Sequence, residues 1–176
     1  MTQEEKELFR KLHWNEEQHR KIEQTLIGDP LPVEFTDKFR PSEPDSKRVQ
    51  AVLEEAIHSH DREEVSMALT ISDTIGHSKE HLPLLIELLR QEWHYEHEQL
   101  VDMIEEFNSE EAIDVLEWAT QVRLDYLKAN DSASLAQRAI YALAVIPGQR
   151  ARNVLESIAH SSNRQRRAWA KHVLKS

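Results

Sequence analysis

Apolar residues recur at three- and four-residue intervals over most of the chain, the spacing that gathers them on one side of an α-helix. After Ser46 the pattern is regular. Val49, Val52, Leu53, Ala56 and Ile57 mark a helix to about Ser59; Val65, Ala68, Leu69, Ser72 and Ile75 form the core side of a second; Leu82, Leu85, Ile86 and Leu89 form that of a third. The polar punctuation agrees with these spans. Asp61 followed by Glu64 has the form of a capping box, Gly76 is placed to close the second helix, and Ser78 with Pro83 suits the first turn of the third. Residues 2–27 also carry helical spacing (Leu8, Leu12, Ile22, Leu26), with Asn15 and Gln18 offering a second start near Trp14. Gly28 ends that segment. Pro30, Pro32, Pro41 and Pro44 then forbid a continuous helix, so residues 28–45 are expected to form a Pro-rich crossover that packs Leu31, Val33, Phe35 and Phe39 on the body.

The helical pattern repeats. Ala68, Ser72 and Ile75 precede a short turn and an inward Leu82, Leu85 and Leu89. Leu100, Ile104 and Phe107 precede a turn and Ile113, Leu116 and Ala119; Ala139, Leu143 and Ile146 precede a turn and Val154, Leu155 and Ile158. The offset is 32 residues from Ile75 to Phe107 and 39 from Phe107 to Ile146, the excess falling in LDYLKANDSAS. Such self-similarity predicts an α-solenoid, in which each helix pair buries its apolar stripe against the next.

The stretch SLAQRAIYALAVIPGQRARNVLESIAHSSNRQRRAWAKHVL joins a small-residue helix, a Pro-Gly turn and an arginine-bearing second helix. In this it resembles the HEAT-like repeat families, and the likeness covers residues 46–176. The resemblance implies an all-α fold, a short α-solenoid of HEAT-like helix pairs with residues 1–27 as an N-terminal capping helical segment, within one domain of 176 residues. It is nearly silent on activity. Some HEAT-like proteins resemble alkylpurine DNA glycosylases and others bilin lyases, so the architecture leaves an enzymatic or nucleic-acid-binding alternative open.

Composition narrows the choice. Only three glycines and 31% charged residues favour helices over a small all-β fold. There is no cysteine, which excludes disulfides, thiolate metal sites and cysteine nucleophiles. No apolar run nears the roughly 18 residues that cross a bilayer, and MTQEEKELFRK lacks the basic-then-apolar form of a secretory signal, so a soluble cytoplasmic protein with no membrane partner is expected. The net charge of −10 argues against nucleic acid, whose binding depends on neutralising phosphates. That charge is uneven. Residues 149–176 carry seven basic side chains against Glu156 alone, a net of +6, leaving −16 on the first 148 residues.

The densest acidic stretch is Gln91 to Val122, with ten Asp and Glu and no Lys or Arg. Read as a helical hairpin, it gives each helix an acidic face: Glu98, Asp102, Glu105 and Glu106 on the first, and Glu110, Asp114, Glu117, Gln121 and Asp125 on a second helix running from 110 to 127. Like charges four residues apart repel, so either a cation offsets the array or the cost is tolerated. Trp118 lies at the edge of the second face as a candidate interface anchor, or as a residue packed on a neighbouring helix. The candidate partner-binding set is therefore Glu98, Asp102, Glu105, Glu110, Asp114, Glu117, Trp118 and Gln121. Arg164, Arg167 and Lys171, with Lys175, share a face of the last helix; they could bind an anion or neutralise carboxylates of the same chain.

Catalytic and metal signatures are weak. Glu16 to His19 and Glu55 to His58 match Glu-x-x-His, and His77/His81 and His94/His97 are pairs at helical spacing, but no complementary inward carboxylates accompany them. There is no His-Glu-x-x-His, phosphate-cradling glycine loop or Gly-x-Ser-x-Gly elbow. No cofactor, metal or catalytic residue is assigned. The leading expectation is a non-enzymatic module that binds a basic protein partner through its acidic face, in an inhibitor or immunity role. The alternative is a glycosylase-like enzyme using the basic C-terminal helices.

Overall fold

The computed structural model describes residues 2–4, 6, 7, 10, 46–130 and 132–175, and every secondary-structure element among them is helical. The expected Pro-rich crossover and most of the N-terminal segment lie outside the described residues. Two compact units divide the chain, Met1–Ser78 and Lys79–Ser176.

In the first unit, helix α1 (Ser46–Ser59) packs on α2 (Arg62–Ile75). The apolar positions Val49, Val52, Leu53 and Ala56 of α1 are buried, as their spacing predicts. Helix α2 buries more than one stripe, adding Met67 and Ile71 to the expected Val65, Ala68, Leu69, Ser72 and Ile75. Asp61 caps it, its side-chain oxygen accepting from the Glu63 N–H at 2.8 Å. The reciprocal arm expected of Glu64 is replaced: its carboxylate takes Lys6, while Glu63 takes Arg10 at 3.2 Å. Both carboxylates also sit where the helix dipole favours negative charge. Gly76 closes α2 at φ 99°, donating its N–H to the Ser72 carbonyl at 3.0 Å.

The second unit holds six α-helices among the described residues: α3 (Leu82–Leu89), α4 (His97–Glu105), α5 (Ile113–Ala119), α6 (Ala133–Val145), α7 (Gln149–Ile158) and α8 (Arg164–Val173). Short 3-10 turns precede α3 (Lys79–His81), α5 (Glu110–Ala112) and α6 (Asp125–Asn130). Helix α6 is the hub, packing against α4, α5, α7 and α8. Its sequence explains that position. Leu135, Ala136, Ala139, Ile140, Ala142 and Leu143 are all fully buried, and the three alanines keep the side chains short where several helices converge.

A register emerges from the packing that differs from the one read off the apolar positions. Helices α4 and α6 begin 36 residues apart (His97 and Ala133), and so do α5 and α7 (Ile113 and Gln149). Side chains that meet between those helices keep the same separation, as in Asp102 with Arg138 and Asp114 with Arg150. The offset of 39 from Phe107 to Ile146 compares helix ends, and α6 at 13 residues is longer than α4 at 9.

Two further expectations are corrected. Gln91 to Glu96 is a turn segment, and helix begins only at His97. The single helix expected from 110 to 127 stops at Ala119. There the Thr120 hydroxyl donates to the Glu117 carbonyl at 2.7 Å, and the N–H groups of Gln121 and Val122 both turn back to the Trp118 carbonyl. A hydroxyl side chain bonding its own backbone competes with the helical ladder, and a periodic pattern does not register this. Asp125, Tyr126 and Leu127 consequently belong to the following 3-10 segment.

Candidate functional site

The acidic hairpin divides into two groups in the second unit. On and just after α5, Asp114, Glu117, Trp118 and Gln121, together with Val122, line one open depression of about 390 Å³. Four of the eight expected partner-binding residues are thus brought together. Glu98, Asp102 and Glu105 stand on α4, whereas Glu110 opens the 3-10 turn before α5.

The electrostatics separate the groups further. Arg138 of α6 places Nη1 2.5 Å from Asp102 Oδ2 and Nε 3.6 Å from Glu98 Oε2, and the Ser134 hydroxyl donates to Glu98. Arg150 of α7 meets Asp114 Oδ1 at 2.5 Å and donates from Nη1 to the Glu110 carbonyl at 3.3 Å. Lys79 lies 4.0 Å from Glu111. Burial holds the Glu105 carboxyl above the usual range, with Asp102 adding to the shift and Arg138 opposing it. The cations for the acidic helices therefore come from α6 and α7. Arg164, Arg167 and Lys171, one candidate source of those cations, lie elsewhere: Arg164 and Lys171 are exposed on α8, and Arg167 Nη1 donates to the Ser161 carbonyl at 2.8 Å. Among the described residues no ion pair or side-chain hydrogen bond reaches the Glu117 carboxylate or the Trp118 indole N–H.

Behind Trp118 stands a buried aromatic cluster. The rings of His94 and His97 stack with centroids 4.3 Å apart and planes 24° from parallel, and His97 lies 6.4 Å from Trp118. His94 Nε2 contacts the Leu88 carbonyl at 2.8 Å, and Nδ1 receives the Glu96 N–H at 3.1 Å. A carbonyl only accepts and an amide only donates, so His94 is the neutral Nε2–H tautomer. The Tyr126 hydroxyl lies within hydrogen-bond distance of His97 Nδ1, at 3.1 Å, and its ring packs against Tyr95 at 4.8 Å. Burial, reinforced by His94, pushes the His97 imidazole down to about 3, and burial pushes the Tyr126 phenol up to about 12. Both groups are neutral near pH 7, and the cluster gives Trp118 a firm backing.

No family model, curated protein or solved structure matches the chain. Its functional reading therefore rests on the geometry.

The remaining histidine motifs lead elsewhere. Glu16 and His19 lie outside the described residues. His58 is exposed, with Nδ1 2.7 Å from the Glu54 carbonyl, and His81 is buried at the start of α3. No group of three metal-ligating side chains forms among the described residues. Sequence reasoning missed Arg138 and Arg150, although a signal existed: each basic residue stands 36 positions after the acid it meets. It also missed a second hollow beside the first. This cavity of about 420 Å³ includes Glu117, Gln121, Arg123 and Arg166 in its wall.

Proposed function

We propose that the chain is a non-enzymatic protein-binding module, a short HEAT-like α-solenoid that offers an acidic, tryptophan-bearing face to a basic partner in an inhibitor or immunity role. The successive packing of α4 on α6 and α6 on α8, beside α3, α5 and α7, supports the solenoid. Among the described residues no helix is long and apolar enough to cross a membrane.

One observation carries the binding reading. Internal arginines engage Glu98, Asp102 and Asp114, while the Glu117 carboxylate stands in an open depression beside Trp118 without a cation among the described residues. A half-buried indole on a rigid backing suits an interface anchor, since tryptophan is enriched among residues that dominate binding energy. A carboxylate at its edge complements a basic surface and contributes more to association rate and specificity than to raw affinity. Basic toxins that attack nucleic acid are one partner class of the right charge.

The test is capture of partners from the native source on the immobilised chain, followed by binding measured against salt. Glu117→Lys should weaken a basic partner markedly and Trp118→Ala should weaken it at every salt concentration. Unchanged binding in both variants would refute the reading. Tight, salt-resistant binding of duplex DNA in a gel shift would favour the glycosylase-like alternative instead.

A further inference from the structure

We infer that copies of the chain associate head to tail, Tyr95 of one copy entering an apolar hollow at the end of α6 in the next. Among the described residues three large hydrophobic side chains are exposed, and they fall in two places in the second unit: Tyr95 just before α4, and Tyr141 and Val145 on α6. Beside the second place lies a hollow of about 430 Å³, where α6 ends, α7 begins and α8 ends. Leu143, Ala144, Ile146, Leu155, Val173 and Leu174 form most of its wall. Ala144 is exposed one helical turn from Tyr141, so the apolar stripe of α6 leads into the hollow. The space admits an aromatic ring.

Tyr95 has the form of a plug. It belongs to the turn segment before α4, is 49% exposed, and is braced from behind by the Tyr126 ring at 4.8 Å. A tyrosine has few rotatable bonds, so burying it at a contact costs little conformational entropy.

Charge sets the orientation. Glu92 is exposed near Tyr95, within the stretch from Gln91 to Val122 that holds no Lys or Arg. At the hollow the sign is opposite. Lys171 stands one turn of α8 from Leu174 and Lys175 follows it, both exposed and without an ion pair among the described residues. No carboxylate lines the hollow: Glu156 is taken by Arg152 at 3.1 Å, and Glu110 stands outside the lining, against Gly148.

A symmetric pair would set plug against plug among carboxylates, or hollow against hollow among lysines, and would fill neither hollow. The contact is therefore heterologous. Nor does Tyr95 serve its own copy. Tyr126 holds it by the segment that leads into α6, and the hollow lies at the other end of that helix, roughly 20 Å along its 13 residues. One plug and its charged edge bury well under the roughly 1,200 Å² of a stable complex, so the association is weak and depends on concentration.

The experiment is sedimentation velocity on the full chain between about 20 µM and about 1 mM, in low and high salt. The sedimentation coefficient should rise with concentration, and rise less in high salt. Ala144→Glu places a carboxylate in the hollow on a residue type that suits a helix. That variant and Tyr95→Ala should each weaken association at least about tenfold, the scale of one large apolar side chain. Glu92→Lys and Lys171→Glu, at exposed positions, should weaken it less and serve if circular dichroism shows either first variant misfolded. Tyr95→Ala keeps the hollow and Ala144→Glu keeps the plug, so their equimolar mixture should form a one-to-one pair at wild-type strength and nothing longer. A wild-type chain that stays monomeric at about 1 mM would overturn the inference. So would association that survives either folded variant, or a mixture that pairs no better than its components.

Discussion

Acidification should cost this chain stability through His97, and replacing that residue should remove the effect. The imidazole is fully buried and is held down to about 3 in the folded chain, against an ordinary value of 6.5. The folded-state value lies below the unfolded one, so the unfolded chain binds more protons and stability rises with pH. The contribution is fully present above pH 6.5 and is lost progressively as pH falls from there towards 3. Between pH 7 and pH 5 the unfolded imidazole becomes almost fully protonated while the folded one stays neutral, a loss of about 2 kcal/mol. His94 is lowered as well, chiefly by burial, and adds to the loss with the same sign. Urea unfolding at pH 7, 6 and 5, followed by tryptophan fluorescence, measures it. His97→Gln keeps an amide that can hydrogen-bond the Tyr126 hydroxyl in either direction but cannot titrate. The variant's starting stability is immaterial, because the quantity read is the change with pH, which should shrink by about 2 kcal/mol. An unchanged pH dependence in the variant, or a wild-type chain whose stability is flat from pH 7 to 5, would refute the assignment of a buried neutral imidazole.

Tyr126→Phe should flatten the alkaline limb: the folded phenol is raised to about 12 from 10, so wild-type stability is present below pH 10 and declines as pH rises towards 12, readable by the same melts in alkaline buffer. Gly148→Ala should destabilise the chain by about 1–3 kcal/mol, because φ 108° and ψ 165° are open essentially to glycine alone. The new methyl group would also stand 2.7 Å from Glu110 Oε1, but that carboxylate is exposed and can swing aside, so adding Glu110→Ala should not restore stability. Arg138→Ala should cost only about 0.5–1 kcal/mol, since the guanidinium is half-exposed, and the loss should shrink at high salt. Exchanging the partners as Asp102→Arg with Arg138→Asp should recover part of it in a double-mutant cycle.

The fold was legible wherever apolar spacing and end signals coincided. Asp61, Gly76 and Pro83 bracket their helices as the residue types predict. Legibility failed where one side chain redirected the backbone: Thr120 ends α5 within a pattern whose periodicity runs on to Leu127. Of the site, the grouping of Asp114, Glu117, Trp118 and Gln121 was readable, because three of them lie on one short helix and the fourth on the turn that ends it. The neutralising arginines were not, because they depend on which helices become neighbours, a tertiary fact. His94 and His97 show the same gap. Their spacing in WHYEH is shared by a metal-ligand pair and by a stacked pair in an apolar cluster, and only burial against Leu88, Trp93 and Tyr126 separates the two.

The constant separation of 36 between acid and base has a consequence for how such a molecule could be lengthened or rearranged. A copy of residues 97–132 inserted after the original would set a second Asp102 opposite the first and a second Asp114 opposite the first, adding two repulsions at the new seam while the copy's acids took over Arg138 and Arg150. At the matching position of α4 and α6 the charge reverses, Asp102 being answered by Arg138. Charge thus works here as an address: it tells each segment which neighbour to accept and disfavours simple duplication of the part.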